Sequence, residues 1–232
     1  MRFRFLSLLL PMALHWTDPL PRAMAAETRG EFDGEIRRFA ESDHRQPHST
    51  NAVVFAGSSS FRLWTNLPAA FPDLTVLNRG FGGSTMRDLL HHFDPVIAVR
   101  RPRAVVVYEG DNDLAKGRTP EAIAGDYAEF LDRMHRQLPG APVLILAVKP
   151  SPSRRSLFDQ QRDLNQRLRQ LCTSRPGVGF ADTFSAVLDA AGEPDPALFE
   201  SDRLHLNHRG YRAWTPVIVN ALKPLLETPA TR

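Results

Sequence analysis

Ala104-Val105-Val106-Val107-Tyr108-Glu109-Gly110-Asp111-Asn112-Asp113, residues 104–113, decides the fold. Five apolar residues, three of them valine, suit a strand buried on both faces, as in a parallel sheet. The run is too short for a helix, and residues that favour turns follow it at once. Similar runs flank it at Ala52 to Ala56, Thr75 to Leu77, Val143 to Val148 and Val178 to Ala181. Helical segments lie between them. Thr119-Pro120-Glu121 reads as an N-cap followed by proline at the first helical position. Ile123, Tyr127, Phe130, Leu131, Met134 and Leu138 then mark one apolar face. Arg155 to Cys172 and Gly210 to Leu226 predict two further helices. Strands alternating with helices imply right-handed crossovers. The expected architecture is a three-layer α/β/α sandwich around a parallel sheet of about five strands.

The 232 residues suffice for one hydrophobic core, and residues 27–232 are expected to form a single domain. A composition 42% hydrophobic and 24% charged is that of a globular chain rather than a disordered one. The net charge of +3 is spread out, with no dense basic patch, which argues against a nucleic-acid partner. Cys172 is the only cysteine, so neither an internal disulfide nor a cysteine-based zinc site is expected.

The first 26 residues read as a secretory signal peptide. Arg2 and Arg4 supply positive charge, Phe5 to Leu14 is mostly apolar, and Ala23-Met24-Ala25 offers a cleavage site. A periplasmic or secreted protein without an integral membrane segment in its mature chain is the expectation; an uncleaved N-terminus would leave it cytoplasmic. The same segment also reads as a disordered extension.

In open α/β sheets, ligands bind beyond the carboxyl ends of the strands. Four segments there carry chemistry. Gly57-Ser58-Ser59-Ser60 can place a hydroxyl at a tight turn, and equally suits a helix cap. Asn78 to Thr85 contains Gly80, Gly82 and Gly83, whose backbone N–H groups could meet an anion; it also reads as a sharp turn. Glu109 to Asp113 includes Asn112, whose amide could donate to an oxyanion, or forms a turn. Asp202-Arg203-Leu204-His205 spaces an acid and a histidine so that the carboxylate can fix the imidazole tautomer.

Together these blocks resemble the SGNH, or GDSL-type, hydrolase family over residues 52 to 214. Phe55-Ala56-Gly57-Ser58-Ser59 resembles the first block, Asn78 to Gly83 the second, Gly110-Asp111-Asn112-Asp113 the G-x-N-D third, and Asp202 to His205 the D-x-x-H last. The usual Gly-Asp-Ser-Leu reads Gly-Ser-Ser-Ser here. The resemblance implies a flavodoxin-like fold and an esterase cleaving small-molecule, glycan or lipid esters without a cofactor. It implies Ser59 as nucleophile, His205 as base, Asp202 as its orienter, and an oxyanion hole of Ser59, Gly83 and Asn112. The adjacent Ser58 and Ser60 compete for the nucleophile's role.

Two rival readings stand beside it. Asp202, His205 and His208 at three-residue intervals, with His91, His92 and Asp94, could ligate a metal for hydrolysis. A non-catalytic carbohydrate- or lipid-binding module would use the same fold. Trp64 and Trp214 read as packing residues, Arg62 and Arg87 as solvated helix positions, and Tyr108 as either packing or site. Lys149 to Arg154, after the fourth strand, is placed to shape a cleft.

Overall fold

The computed structural model describes residues 30–45 and 51–227; the expected signal peptide lies outside them. Five strands form one parallel sheet: β1 (Val53–Gly57), β2 (Val76–Gly80), β3 (Ala104–Tyr108), β4 (Val143–Leu146) and β5 (Val178–Ala181). Their order is β2-β1-β3-β4-β5, that of a flavodoxin-like sheet. The chain runs from β1 outward to β2, then returns across β1 to β3. This reversal opens a crevice at the carboxyl ends of β1 and β3, the place where such sheets bind ligands.

Side chains alternate across the sheet. Val54, Ala56, Val105 and Val107 face α4 (Met86–His91), α7 (Pro120–Gln137) and α8 (Phe158–Thr173), through Leu89, Ile123, Phe130 and Leu164. Val53, Phe55, Val106 and Tyr108 face α9 (His208–Glu227), through Trp214, Ile218 and Leu222. Two apolar layers therefore clamp β1 and β3, which are fully buried. β5 is different. Expected to be covered on both faces, it is half-exposed at Val178, Gly179 and Phe180 because it is the sheet's edge.

The helices start where local chemistry dictates. Thr119 Oγ1 accepts from Ala122 N at the head of α7. Before α8, a 3₁₀ stretch from Pro152 to Leu157 takes residues 155–157, the start of the helix expected over Arg155 to Cys172. β2 runs three residues beyond the expected strand, so Asn78 and Arg79 belong to it. Arg79 is buried there because it pairs with Asp43 of α1 (Asp33–Arg45). Trp64 and Trp214 are core residues, with Trp64 stacked on Tyr211 at 4.6 Å between ring centroids. Cys172 is buried on α8, where desolvation pushes its thiol pKa up to about 12. Among the described residues no helix is long and apolar enough to cross a membrane.

Candidate active site

Ser59 is presented by a turn with little freedom. Gly57 ends β1 with φ +153°, and a Cβ there would overlap the Tyr108 carbonyl of β3. Only glycine lets the strands approach this closely. The turn is tied on both sides: Ser58 N donates to Tyr108 O (3.2 Å), and Phe81 N donates to Gly57 O (2.8 Å). The chain then enters α2 (Ser59–Arg62) with Ser58 at the N-cap, although its side chain makes no capping bond. Ser58 and Ser60 are buried, and Ser60 O accepts from Tyr211 OH. Of the three serines, it is Ser59 whose Oγ meets His205 Nε2, at 3.0 Å.

His205 comes from a loop between the last 3₁₀ turn and α9. Its Nδ1 lies 2.6 Å from Asp202 Oδ2. Asp202 Oδ1 accepts two further bonds, from Leu204 N and His205 N, each 2.9 Å. Partial desolvation raises the Asp202 pKa, but these three donors outweigh it and bring the pKa down to about 2. The carboxylate therefore stays charged and holds Nδ1–H, leaving Nε2 to accept from Ser59. The loop is pinned by Glu200 N to His205 O (2.8 Å) and Ser153 N to Arg203 O (3.0 Å). Arg203 takes φ +59°, a rare conformation for a residue with a side chain.

The other wall is the turn after β2. Gly83 adopts φ +85°, and a Cβ there would meet nothing within 4 Å. Ser84 fixes that turn. Its Oγ lies 2.9 Å from Phe81 O and 2.6 Å from Glu109 Oε1. A hydroxyl has one proton to give. That proton goes to one of these two acceptors, and burial, then the nearby Asp113, pushes the Glu109 pKa well up. Asn112 is not in a turn but in α6 (Asp111–Ala115), after Gly110 at φ +111°. Its Nδ2 donates to Ser84 O at 2.9 Å, while its Oδ1 accepts from Arg154 Nη2 at 3.1 Å.

Beyond the Asp202–His205 pair, the residues of the rival metal reading form no ligand set. His208 opens α9, behind Asn207, whose Oδ1 caps the helix by accepting from Arg209 N and Gly210 N. His91 and His92 pack against each other, and Asp94 pairs with Arg133 at 3.0 Å. Among the described residues no three His, Cys, Asp or Glu side chains are grouped to hold a metal ion.

The GDSL-like lipase/acylhydrolase family model matches residues 49–213, which span all five strands and every wall of this crevice. The chain belongs to the GDSL-like lipase/acylhydrolase family. As a GDSL-like protein it is a carboxylic ester hydrolase. No curated protein matches its sequence. Solved structures share the fold at low identity. A Bacteroides fragilis protein assigned as an acylhydrolase is 22% identical over 82% of this chain and 97% of that one, with a TM-score of 0.73. A GDSL-like lipase of Bacteroides thetaiotaomicron is 20% identical with the same coverage and a TM-score of 0.68. An acetylxylan esterase of Geobacillus stearothermophilus is 14% identical over 79% of this chain and 97% of that one, at a TM-score of 0.61.

Two features of this GDSL-like site were not visible in the sequence. Arg154 had only been placed in a cleft-shaping segment, and Glu109 among turn residues. An arginine just past the fourth strand and an acid directly ending an all-apolar third strand were the available signals.

Proposed function

We propose that this GDSL-like hydrolase is a serine esterase that cleaves acyl or acetyl esters through an acyl-enzyme. One observation carries the reading: an unbroken line from Ser59 Oγ through His205 to Asp202, with links of 3.0 and 2.6 Å. Ser59 Oγ attacks the ester carbonyl and passes its proton to His205 Nε2. His205 returns the proton to the leaving alcohol, and Asp202 stabilises the imidazolium in between. Water, activated by His205, then attacks the acyl-enzyme and frees Ser59.

The tetrahedral oxyanion is received by the N–H groups of Ser59 and Gly83 and the Asn112 amide. The Ser59 N–H begins a helix, where no intrahelical acceptor exists. Asn112 spends one N–H on Ser84 O and has a second to give. No step requires a metal or organic cofactor. Residues 27–232 act as one domain on a small-molecule, glycan or lipid ester, after export to the periplasm or medium.

The test is turnover on p-nitrophenyl esters of rising acyl length, with Ser59→Ala run in parallel. The expected outcome is a loss of about 10³-fold or more in kcat, together with loss of fluorophosphonate labelling. Unchanged turnover by Ser59→Ala would refute the assignment.

A further inference from the structure

Behind the crevice lies a cluster of charge that the mechanism above does not use. Lys149, three residues past β4, is fully buried, and its Nζ lies 3.4 Å from Asp111 Oδ2. Gln161 of α8, also fully buried, donates to Asp111 Oδ1 at 3.3 Å. Arg154 Nη1 sits 2.9 Å from Asp111 Oδ2, and its Nη2 donates to Asn112 Oδ1. Two cations thus share one carboxylate, and the surplus positive charge lies against the carbonyl end of the Asn112 amide.

The geometry has two consequences. First, the amide cannot flip. Its oxygen is held by a donor, Arg154, and its nitrogen by an acceptor, Ser84 O; reversing it would bring like groups together at both ends. Second, a cation bonded to an amide oxygen draws electron density toward it, which makes the N–H groups at the other end better donors. The guanidinium fork suits this double duty, because Nη1 forms the ion pair with the carboxylate while Nη2 donates to the amide.

We propose that Arg154 is a positioning residue of the esterase: anchored on Asp111, it fixes the Asn112 amide and strengthens the N–H that amide gives to the oxyanion. The proposal rests on the reading of Asn112 as an oxyanion donor. It assigns Arg154 an effect on the transition state rather than on substrate affinity. Arg154 need never touch the substrate.

A double-mutant cycle on p-nitrophenyl acetate tests it, with Asn112→Ala, Arg154→Met and the pair in the full chain. Arg154→Met is expected to lower kcat about 10- to 100-fold with KM nearly unchanged. Arg154→Lys, which offers a point charge in place of a fork, should recover part of the loss. In the Asn112→Ala background, Arg154→Met should cost about twofold or less, because the group it acts through is gone. Losses that multiply, or a raised KM at unchanged kcat, would overturn the proposal while leaving the oxyanion reading intact. Undiminished kcat in Asn112→Ala would remove that reading and the proposal with it. Should Arg154→Met fold poorly, by circular dichroism and Tm, Arg154→Lys in both backgrounds decides the question in the same way.

Discussion

Ser59 and His205 meet at 3.0 Å, yet the two sides of that contact are built by opposite means. The Ser59 side is steric. Its turn is wedged between two other strands and flanked by buried Ser58 and Ser60. The His205 side is electrostatic and local. Asp202 is about half-exposed, and the loop is ordered by three bonds to that one carboxylate and a few backbone bonds. A nucleophile tolerates little displacement, because its attack angle is set by the backbone. On the proposed mechanism the base must swing between two oxygen partners, and a loop tethered at one carboxylate permits that without moving the sheet.

If this contrast is right, substitutions on the two sides fail differently. Gly57→Ala should have the largest effect, costing about 4 kcal/mol or more because a methyl would be forced into the Tyr108 carbonyl. Urea denaturation measures it, and a cost below about 1 kcal/mol would show that the turn has slack.

Asp202→Asn should instead spare the fold and impair chemistry. We expect kcat to fall about 10²- to 10⁴-fold as the imidazole loses its charged partner. The stability change should be small, since the carboxylate is half-exposed. Its pH dependence has a fixed sign. The folded pKa, about 2, lies below the usual carboxylate value, so the contribution is present above about pH 4 and is lost as pH falls toward 2. Melting curves of the two proteins should therefore converge on acidification; divergence would contradict the assignment of Asp202 as the charged tether.

Glu109→Gln probes the buried side by a smaller amount. The raised pKa means that wild-type stability declines as pH rises above the ordinary glutamate range and through the folded value. An amide avoids that decline while keeping a hydrogen bond with Ser84. Tm should be higher in the variant at pH 8, and the gain should disappear near pH 4. Arg203→Gly should do least, since it relieves a positive φ of +59° while loosening the chain, two effects that offset to within about 1 kcal/mol. A larger change in either direction, read by Tm, would mean that the loop is more tightly built than its exposure suggests.

The same contrast explains what could be read from the sequence. β3 and β5 fall on the expected residues because packing on a parallel sheet selects apolar β-branched runs. The end of β2 escaped because Asn78 and Arg79 are polar, and Arg79 is tolerated only through Asp43, thirty-six positions away. Such pairing leaves no periodic trace. Ser59, in a motif after β1, and Asp202 and His205, in a short motif near the C-terminus, were legible, and the structure brings those three together. The Arg154–Asn112 bond was not, because it depends on an irregular turn, where Arg154 leaves helical geometry at φ −116°, ψ 31°. α1 was missed because its apolar stripe is short, only Ile36, Phe39 and Ala40 among otherwise polar residues, and none of its residues is fully buried.

The lone thiol of Cys172 has a practical corollary. Shielded on α8 and reluctant to ionise, it should ignore maleimides while the protein is native. A second cysteine introduced on the loop beside His205 would then be the sole addressable handle. A fluorophore attached there could follow the excursions of His205 during turnover without any need to engineer the wild-type background.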